Sequence, residues 1–490
     1  RPVSYFTGFL NESDWSGERA WTKKSSRISG ELTRLQEKGA RKMKAKLTVS
    51  NVAELVNVPE RIIKYVKKIM TLPNPKYEEA VKHDRWTGDL QPELQLFEEI
   101  PGGIRSPRGW THYCYDFLKR NEIQVEVIDH RRSLEPIELS FLGALRPYQQ
   151  NAVRDVLSRH FGVLSAATGC GKTIMALAVV AARQQPTLVL VHTKELLHQW
   201  RDRIKAFLGI DAGVIGGGKF DVQPVTVGII NTVRKHLDTL PEHFGHLIVD
   251  ECHRTPSAMF TETVQAFDCK YMLGLSATAY RRDGLTKLIY LTLGDRVHEV
   301  DPQELKQNGA VLTPEVIRRE TAFTYQYADD YQPMLSALTR DRARNEQIAA
   351  DVIRQAQSRP GACLVVSDRV QHCMDLAGLL EGHNLSIRVL TGKAKAKDRE
   401  SIVEAVQAGQ VNVLVSTVQL LGEGFDCAGL SSLFLASPIR FKGRVLQVVG
   451  RILRPADGKR PVVYDYVDGN VGVLWAQAKS RAYALREVAA

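Results

Sequence analysis

The chain has 490 residues, with 66 Lys and Arg against 55 Asp and Glu, a formal charge of +11, 44% hydrophobic and 25% charged residues. That length suits roughly two to four domains, and the composition excludes a disordered or collagen-like chain. No apolar run approaches the ~18 residues of a membrane span, so no membrane partner is expected.

The chain opens on Arg1 rather than a methionine and shows no signal-peptide pattern, so its start is expected to be trimmed. Cysteines stand at 114, 170, 252, 269, 363, 373 and 427 and are never spaced Cys-x-x-Cys. This predicts no disulfide framework, no cysteine-based metal site and a cytoplasmic setting. Residues 1–72 hold 15 Lys and Arg against 7 Asp and Glu, whereas residues 73–490 hold the remaining 51 against 48. A basic end on a nearly neutral body points to a polyanion, nucleic acid ahead of membrane, with a solvated helix face as the bland alternative.

In chain order, residues 1–72 form a basic, largely helical region, with a helix expected around Val52–Met70 that spaces Arg61, Lys64, Lys67 and Lys68 along one side. Residues 73–142 are rich in Pro and Gly turns and form a small α+β accessory domain. Its basic residues, with those upstream, interleave with Trp15, Trp21, Trp86, Trp110 and Tyr113. They could join phosphate attraction to base stacking, with Trp86 and Trp110 the better candidates for a small core. DNA engagement is expected chiefly from residues 19–68.

From Leu145, β-branched runs alternate with helical stretches: Thr187–His192, Val225–Ile230, His246–Asp250 and Tyr271–Leu275, with helices such as Thr173–Arg183 and Lys194–Phe207. The alternation restarts near residue 345 with Ala362–Ser367, Ser386–Leu390, Val411–Ser416, Ser432–Ala436 and Pro461–Tyr466. The fold class is therefore α/β, with two tandem parallel-sheet domains over 143–298 and 345–490 and a linker over 299–344.

Between a strand and a helix lies Ser165-Ala-Ala-Thr168-Gly169-Cys170-Gly171-Lys172-Thr173. Glycines let such a loop curl its N–H groups around phosphates, with the helix N-terminus aimed at the same point. Lys172 would bridge the β- and γ-phosphates of ATP, and Thr173 would ligate Mg²⁺. Ala166 stands where the P-loop pattern expects Gly, and an ordinary Gly-rich turn is the alternative. Asp250-Glu251-Cys252-His253 ends the His246–Val249 strand, so Asp250 can hold Mg²⁺ while Glu251 faces an attacking water.

The order of these segments resembles the superfamily 2 helicases of DEAD/DEAH type, whose motor domains are RecA-like. Leu145-Arg146-Pro-Tyr-Gln149 resembles their opening motif, in which the glutamine reads adenine. Residues 167–173 and 250–253 resemble motifs I and II, and Leu275-Ser276-Ala-Thr278 resembles motif III. Thr417–Asp426, with Gly424, resembles motif V, and Gln447-Val-Val-Gly-Arg451-Ile-Leu-Arg454 resembles motif VI. The resemblance spans about residues 143–470.

It implies that Gln447, Arg451 and Arg454 reach the γ-phosphate across a cleft, an arrangement able to supply ~10³–10⁵ in rate. It also implies that Asp426 contacts the ribose, and that His253, Ser276 and Thr278 couple the ATP site to the nucleic-acid path. That path would include Thr193, Lys194, Gly216 in its Gly216–Gly218 turn, and Thr232 in the first domain. In the second it would include Ser367, Thr391, Gly392, Lys393 and Thr417. For each, a helix cap or plain turn is the alternative.

Arg281 and Arg282 lie in a charged loop resembling that of XPB-like helicases. The Arg-Pro-Tyr-Gln opening and the form of motif V are shared with UvsW-like helicases and restriction-type translocases. The Asp-Glu-Ala-Asp signature is absent and the chain ends about 20 residues past the family-like span. DNA, in duplex, forked or branched form, is thus expected over RNA. The expected protein is a monomeric, nucleoid-associated, ATP-driven helicase, with a repair, recombination or nuclease partner open. A restriction-assembly motor that does not separate strands, an RNA helicase and an ATP-switched clamp are the alternatives.

Overall fold

The computed structural model describes residues 44–489 apart from 168, 254–256, 278–284, 393, 395, 422–426, 428, 440–441 and 457. Three large sheets follow one another along the chain, with a two-stranded pair of Thr71–Pro73 and Glu93–Gln95 within the span of the first.

The first has five strands in the order Glu98–Ile100, Gly103–Pro107, Val52–Val56, Lys44–Val49, Gln124–Asp129. Helices Glu60–Met70 and Thr111–Arg120 cover one face, sealing a core around Leu47, Leu55, Ile62, Val66, Trp110 and Leu118. The helix expected over Val52–Met70 therefore begins only at Glu60. Residues 52–56 alternate in burial with the period of a strand, Asn57 adopts φ +58°, and Pro59 precedes the helix. Both breaks oppose a continuous helix.

The region over 44–72 thus contributes two strands and a helix to the accessory unit, and strand Thr71–Pro73 straddles the expected boundary at 72. Trp110 is buried with its indole N–H on Ser106 Oγ at 2.6 Å, whereas Trp86 is 91% exposed and outside the core expected for it. Trp15, Trp21 and the rest of residues 1–43 lie outside the described residues.

The second sheet has eight strands in the order 219–221, 213–216, 225–229, 187–191, 246–249, 271–276, 161–165, 296–299. All pairs are parallel except the 213–216/219–221 hairpin. Thr187–Val191 and His246–Val249 are buried along their whole length, as central parallel strands must be. The third sheet has six strands, all parallel, in the order 315–320, 462–467, 430–435, 362–367, 413–417, 387–390.

Two elements overturn the expected 299–344 linker. Strand Glu315–Glu320 pairs with Val462–Val467 inside the third sheet, and helix Arg342–Ser358, capped by Asp341, crosses residue 344. Arg344 is buried against Asp468 at 2.7 Å, which fixes that helix to the sheet.

The accessory unit is seated on the second sheet's domain. Arg108, 2% exposed, donates through Nη1 to Ser50 O at 2.9 Å and Cys269 O at 2.8 Å. A Cβ on Gly109 would stand 2.4 Å from Tyr290 O, so only glycine permits this approach to helix Thr286–Leu293. Lys287 Nζ donates to Ile69 O at 2.8 Å.

Candidate active site and nucleic-acid path

Strand Phe161–Ser165 runs into the Gly-rich loop, and helix Lys172–Arg183 leaves it. Gly169 and Gly171 adopt φ +90° and +87°, which a side chain would oppose. A Cβ on Gly171 would lie 2.5 Å from Gln149 Nε2, while the Cβ position of Gly169 is open. Lys172 Nζ donates to Ala166 O at 3.0 Å, folding the ammonium into the loop. Thr173 stands half-buried in the first turn of the helix. A glycine-opened loop, a helix N-terminus and an inward lysine fit a nucleotide triphosphate.

Two candidates stand differently from expectation. Gln149 Nε2 donates to Cys170 O at 3.0 Å and its Oε1 accepts from Arg146 N at 2.9 Å. Buried at 5% exposure, its amide braces the loop and helix Pro147–Leu157 rather than facing an open base site. Arg146 itself is exposed. Cys170 points its thiol into the core, leaving only its backbone to the site.

The acidic pair is held by the strands on both sides. Asp250 N donates to Leu190 O and Cys252 N to Leu275 O, each at 3.0 Å. Between them Glu251 takes φ +46°, a left-handed turn that separates the two carboxylates. Asp250 is 7% exposed; its Oδ2 accepts from Trp200 Nε1 at 2.8 Å and its Oδ1 from Glu251 N at 2.9 Å. Burial, then the neighbouring Glu251 charge, push its carboxyl up to about 6, opposed by the Trp200 hydrogen bond and Lys172.

Glu251 Oε2 lies 3.3 Å from His253 Nδ1, which is 2.9 Å from Ser276 Oγ. Ser276 O in turn accepts from Ala166 N at 2.9 Å. Acidic pair, His253, Ser276 and phosphate loop thus form one connected rim. Among the described residues no group of three or more His, Cys, Asp or Glu could enclose a metal. Thr173 and the buried Asp250 offer the sparse oxygen set that Mg²⁺ takes alongside phosphate and water.

The first-domain path residues converge. Thr193 Oγ1 accepts from Leu196 N at 3.3 Å and so caps helix Lys194–Leu208. Lys194 runs past the Gly216–Gly218 turn, 3.6 Å from where a Gly217 Cβ would stand. Thr232 is half-buried after strand Val225–Ile229. They stand at the C-terminal ends of three neighbouring parallel strands, 213–216, 225–229 and 187–191.

In the second domain Ser367 departs from expectation. It is 0% exposed, its hydroxyl lying 2.9 Å from His372 Nδ1 and accepting from Arg369 N, so it terminates a strand rather than presenting a side chain. Thr417 is also buried, at 8%, and Thr391 is half-buried. Thr168, Thr278, Arg281, Arg282, Lys393, Gly424 and Asp426 lie outside the described residues.

Gln447 sits on helix Lys442–Val449, with Arg451 buried just beyond it and Arg454 half-buried. Burial, then the charge of Arg203 on helix Lys194–Leu208, hold the Arg454 guanidinium below its usual pKa. Arg454 of this motif thus stands close to the first domain. Arg399 also crosses between domains to Glu195 at 2.8 Å. Sequence reasoning missed Trp200, Arg203 and this ion pair, because one Trp or charge on an amphipathic helix carries no sign of a partner distant in sequence.

Residues 142–281 match the family described as type III restriction enzyme, res subunit, and residues 345–456 match the helicase conserved C-terminal domain. The "Probable helicase D10" of Escherichia phage T5 is 26% identical over 375 residues, 75% of this chain and 81% of that protein. The DNA 3'-5' translocase XPB2 of Sulfurisphaera tokodaii is 27% identical over 378 residues, 70% of this chain and 85% of that one. Among solved structures, a fragment of an HsdR subunit of a type I restriction enzyme from Vibrio vulnificus matches with TM-score 0.54 and 18% identity. That match covers 70% of this chain and 66% of the other. With the loop, acidic pair and arginine motif on two parallel-sheet domains, these matches support a superfamily 2 helicase-type motor, a class that uses ATP. Within that class it is related to the XPB-like helicases and the restriction-type translocases. No described helix is long and apolar enough to cross a membrane.

Proposed function

We propose that this protein is an ATP-hydrolysing motor that moves on and remodels duplex, forked or branched DNA. The observation that carries this reading is the connected rim running from Glu251 through His253 and Ser276 to the Ala166 end of the phosphate loop. The Gly-rich loop, the acidic pair, Lys194 and the Gly216–Gly218 turn all lie at the C-terminal ends of strands of one sheet.

In this reading the loop N–H groups of residues 169–173 and Lys172 bind the triphosphate, while Thr173 and Asp250 hold Mg²⁺. Bound there, Mg²⁺ supplies charge neutralisation at the phosphates. Glu251 takes the proton of the attacking water, and His253 holds its carboxylate in place. Arg451 and Arg454, with Gln447, stabilise charge gathering on the γ-phosphate. Arg146, Gly424 and Asp426 serve the nucleoside end, and Gln149 supports the loop it touches. Completion of the site from both domains makes their closure the moving step.

Backbone contacts make DNA binding independent of sequence and sensitive to salt. The reading carries a monomeric, cytoplasmic, nucleoid-associated protein. A second reading, a restriction-assembly motor that translocates without separating strands, is favoured by the match of residues 142–281 and would require a nuclease partner.

The test is an ATPase and strand-displacement panel over single-stranded, duplex, forked and four-way DNA and RNA, with Lys172→Ala and Glu251→Gln as controls. DNA-stimulated hydrolysis lost in both variants, with strand displacement, supports the first reading. DNA-stimulated hydrolysis without displacement favours the second, and stimulation by RNA alone overturns both.

A further inference from the structure

Helices Glu60–Met70 and Thr111–Arg120 lie side by side on the accessory sheet. Tyr65 stacks on Phe117 at 4.6 Å and 13°, Phe117 stacks on Tyr113 at 6.2 Å, and the Tyr65 and Tyr113 hydroxyls meet at 2.8 Å. Around this stack stand Arg61, Lys68 and Arg120. Arg61 and Lys68 are two helical turns apart and hence on one stripe, and Arg120 shares a face with Tyr113 and Phe117. All three are exposed and make no ion pair with any described residue.

Some other basic groups of the unit are engaged, whereas Lys46, Lys76, Lys82 and Arg85 are exposed and make no ion pair with any described residue. Lys64 pairs with Glu60 and Lys67 with Glu99, and on the opposite sheet face Lys44 pairs with Glu126 and Arg105 with both Glu54 and Glu98. The two-helix face therefore carries three cations without an ion pair, whereas on the five strands of the sheet Lys46 alone lacks one. The aromatic rings there are spent on one another, which leaves hydrogen-bonding cations and no open stacking platform. Such a face suits regularly spaced phosphates rather than unstacked bases.

The face is also in fixed register with the motor. Lys287 donates to the carbonyl of Ile69, one residue past Lys68, from the first turn of helix Thr286–Leu293.

We propose that Arg61, Lys68 and Arg120 form a phosphate-binding face for the DNA backbone, an extension of the motor's track carried by the rigidly seated accessory unit. This rests on the DNA-motor reading above.

The test uses the full chain carrying Arg61→Gln, Lys68→Gln and Arg120→Gln. Its control carries Lys44→Gln, Lys46→Gln and Arg105→Gln, the same change in net charge on the opposite face. Binding of a labelled forked duplex is followed by fluorescence anisotropy from about 50 to 200 mM salt, with thermal melting to establish folding. The face variant is expected to bind at least about 10-fold more weakly at 100 mM salt, with the slope of log K against log salt reduced by about 2–3. The control is expected to stay within about twofold of the parent.

Equal weakening in both variants, or none in the face variant, overturns the proposal. So does a face variant that loses binding to phosphatidylserine vesicles while keeping its DNA affinity. If the parent binds the fork but no DNA stimulates its ATP hydrolysis, the motor reading fails while the face is still judged by the two affinities.

Discussion

The indole N–H of Trp200 donates to Asp250 Oδ2 at 2.8 Å, joining the middle of helix Lys194–Leu208 to the buried end of strand His246–Val249. The same helix starts at Lys194 beside the glycine turn, so one rigid element touches both the proposed nucleic-acid edge and the proposed metal-holding carboxylate. Trp200→Phe keeps the ring and removes the donor. Leaving a buried carboxylate short of one hydrogen bond costs about 1–3 kcal/mol, and lost support of this kind weakens metal affinity or activity by about 10–100-fold. A melting temperature lower than the parent's, with a shifted Mg²⁺ titration of hydrolysis, is expected. An unchanged Mg²⁺ dependence would count against the positioning role.

Gly171 is confined twice, by φ +87° and by Gln149 Nε2 lying 2.5 Å from its absent Cβ. Gly171→Ala must push the Gln149 amide off Cys170 O and strain the loop, by about 1–3 kcal/mol for the backbone alone. Nucleotide binding, read by fluorescent ATP-analogue anisotropy, should fall by more than tenfold. Gly169→Ala has open space at its Cβ and should show the smaller loss, from backbone strain only.

Gly109 packs its backbone on the end of helix Thr286–Leu293, with Tyr290 O 2.4 Å and Gly294 N 2.6 Å from its Cβ position. Gly109→Ala should part the accessory unit from the motor at an overpacking cost of about 1–3 kcal/mol. Limited proteolysis should then cut the extended stretch between residues 130 and 146 faster than in the parent. An unaltered cleavage rate would show that the Arg108 and Lys287 contacts suffice to hold the seat.

His372 links Ser367 Oγ to Asn345 Oδ1, each at 2.9 Å, and is 1% exposed. Burial, then the Arg344 charge, hold its imidazole down at about 3, against about 6.5 in the unfolded chain. Below pH 6.5 the unfolded state binds a proton that the folded state refuses. The stability is therefore complete above pH 6.5 and is lost progressively as pH falls toward 3, by up to about 1.4 kcal/mol per pH unit. The drop in melting temperature between pH 7.5 and 5 should shrink in His372→Gln. An unchanged drop would place the acid sensitivity elsewhere, as at His160, held at about 4 by burial and Arg131.

The central strands were readable because a parallel strand buried on both faces is a continuous β-branched run; Ala362–Ser367 matched residue for residue. Glu315–Glu320 was not readable, because an edge strand needs only partial burial. Its charges also read as a linker until Arg319 is seen paired with the buried Asp351 at 3.0 Å. In 52–70 the helical spacing of the cations obscured the period-2 burial that precedes them. For the site, loop and acidic pair declared themselves by composition. What Gln149 and Ser367 do was hidden, because both are occupied by partners supplied by the fold, Cys170 and His372.

The covalent passage between the two motor sheets is residues 300–314, from the end of strand Arg296–Glu299 to the start of Glu315–Glu320. Within it Val311 packs against both hydrophobic cores, and Leu312 N donates to Leu453 O at 2.8 Å, one residue before Arg454. The connection between the two sheets is thus tied to the arginine motif itself. In the closure proposed above, the two sheets would turn about a segment that Val311 anchors to both cores, so a change in that segment would reach Arg454 through the Leu312–Leu453 hydrogen bond.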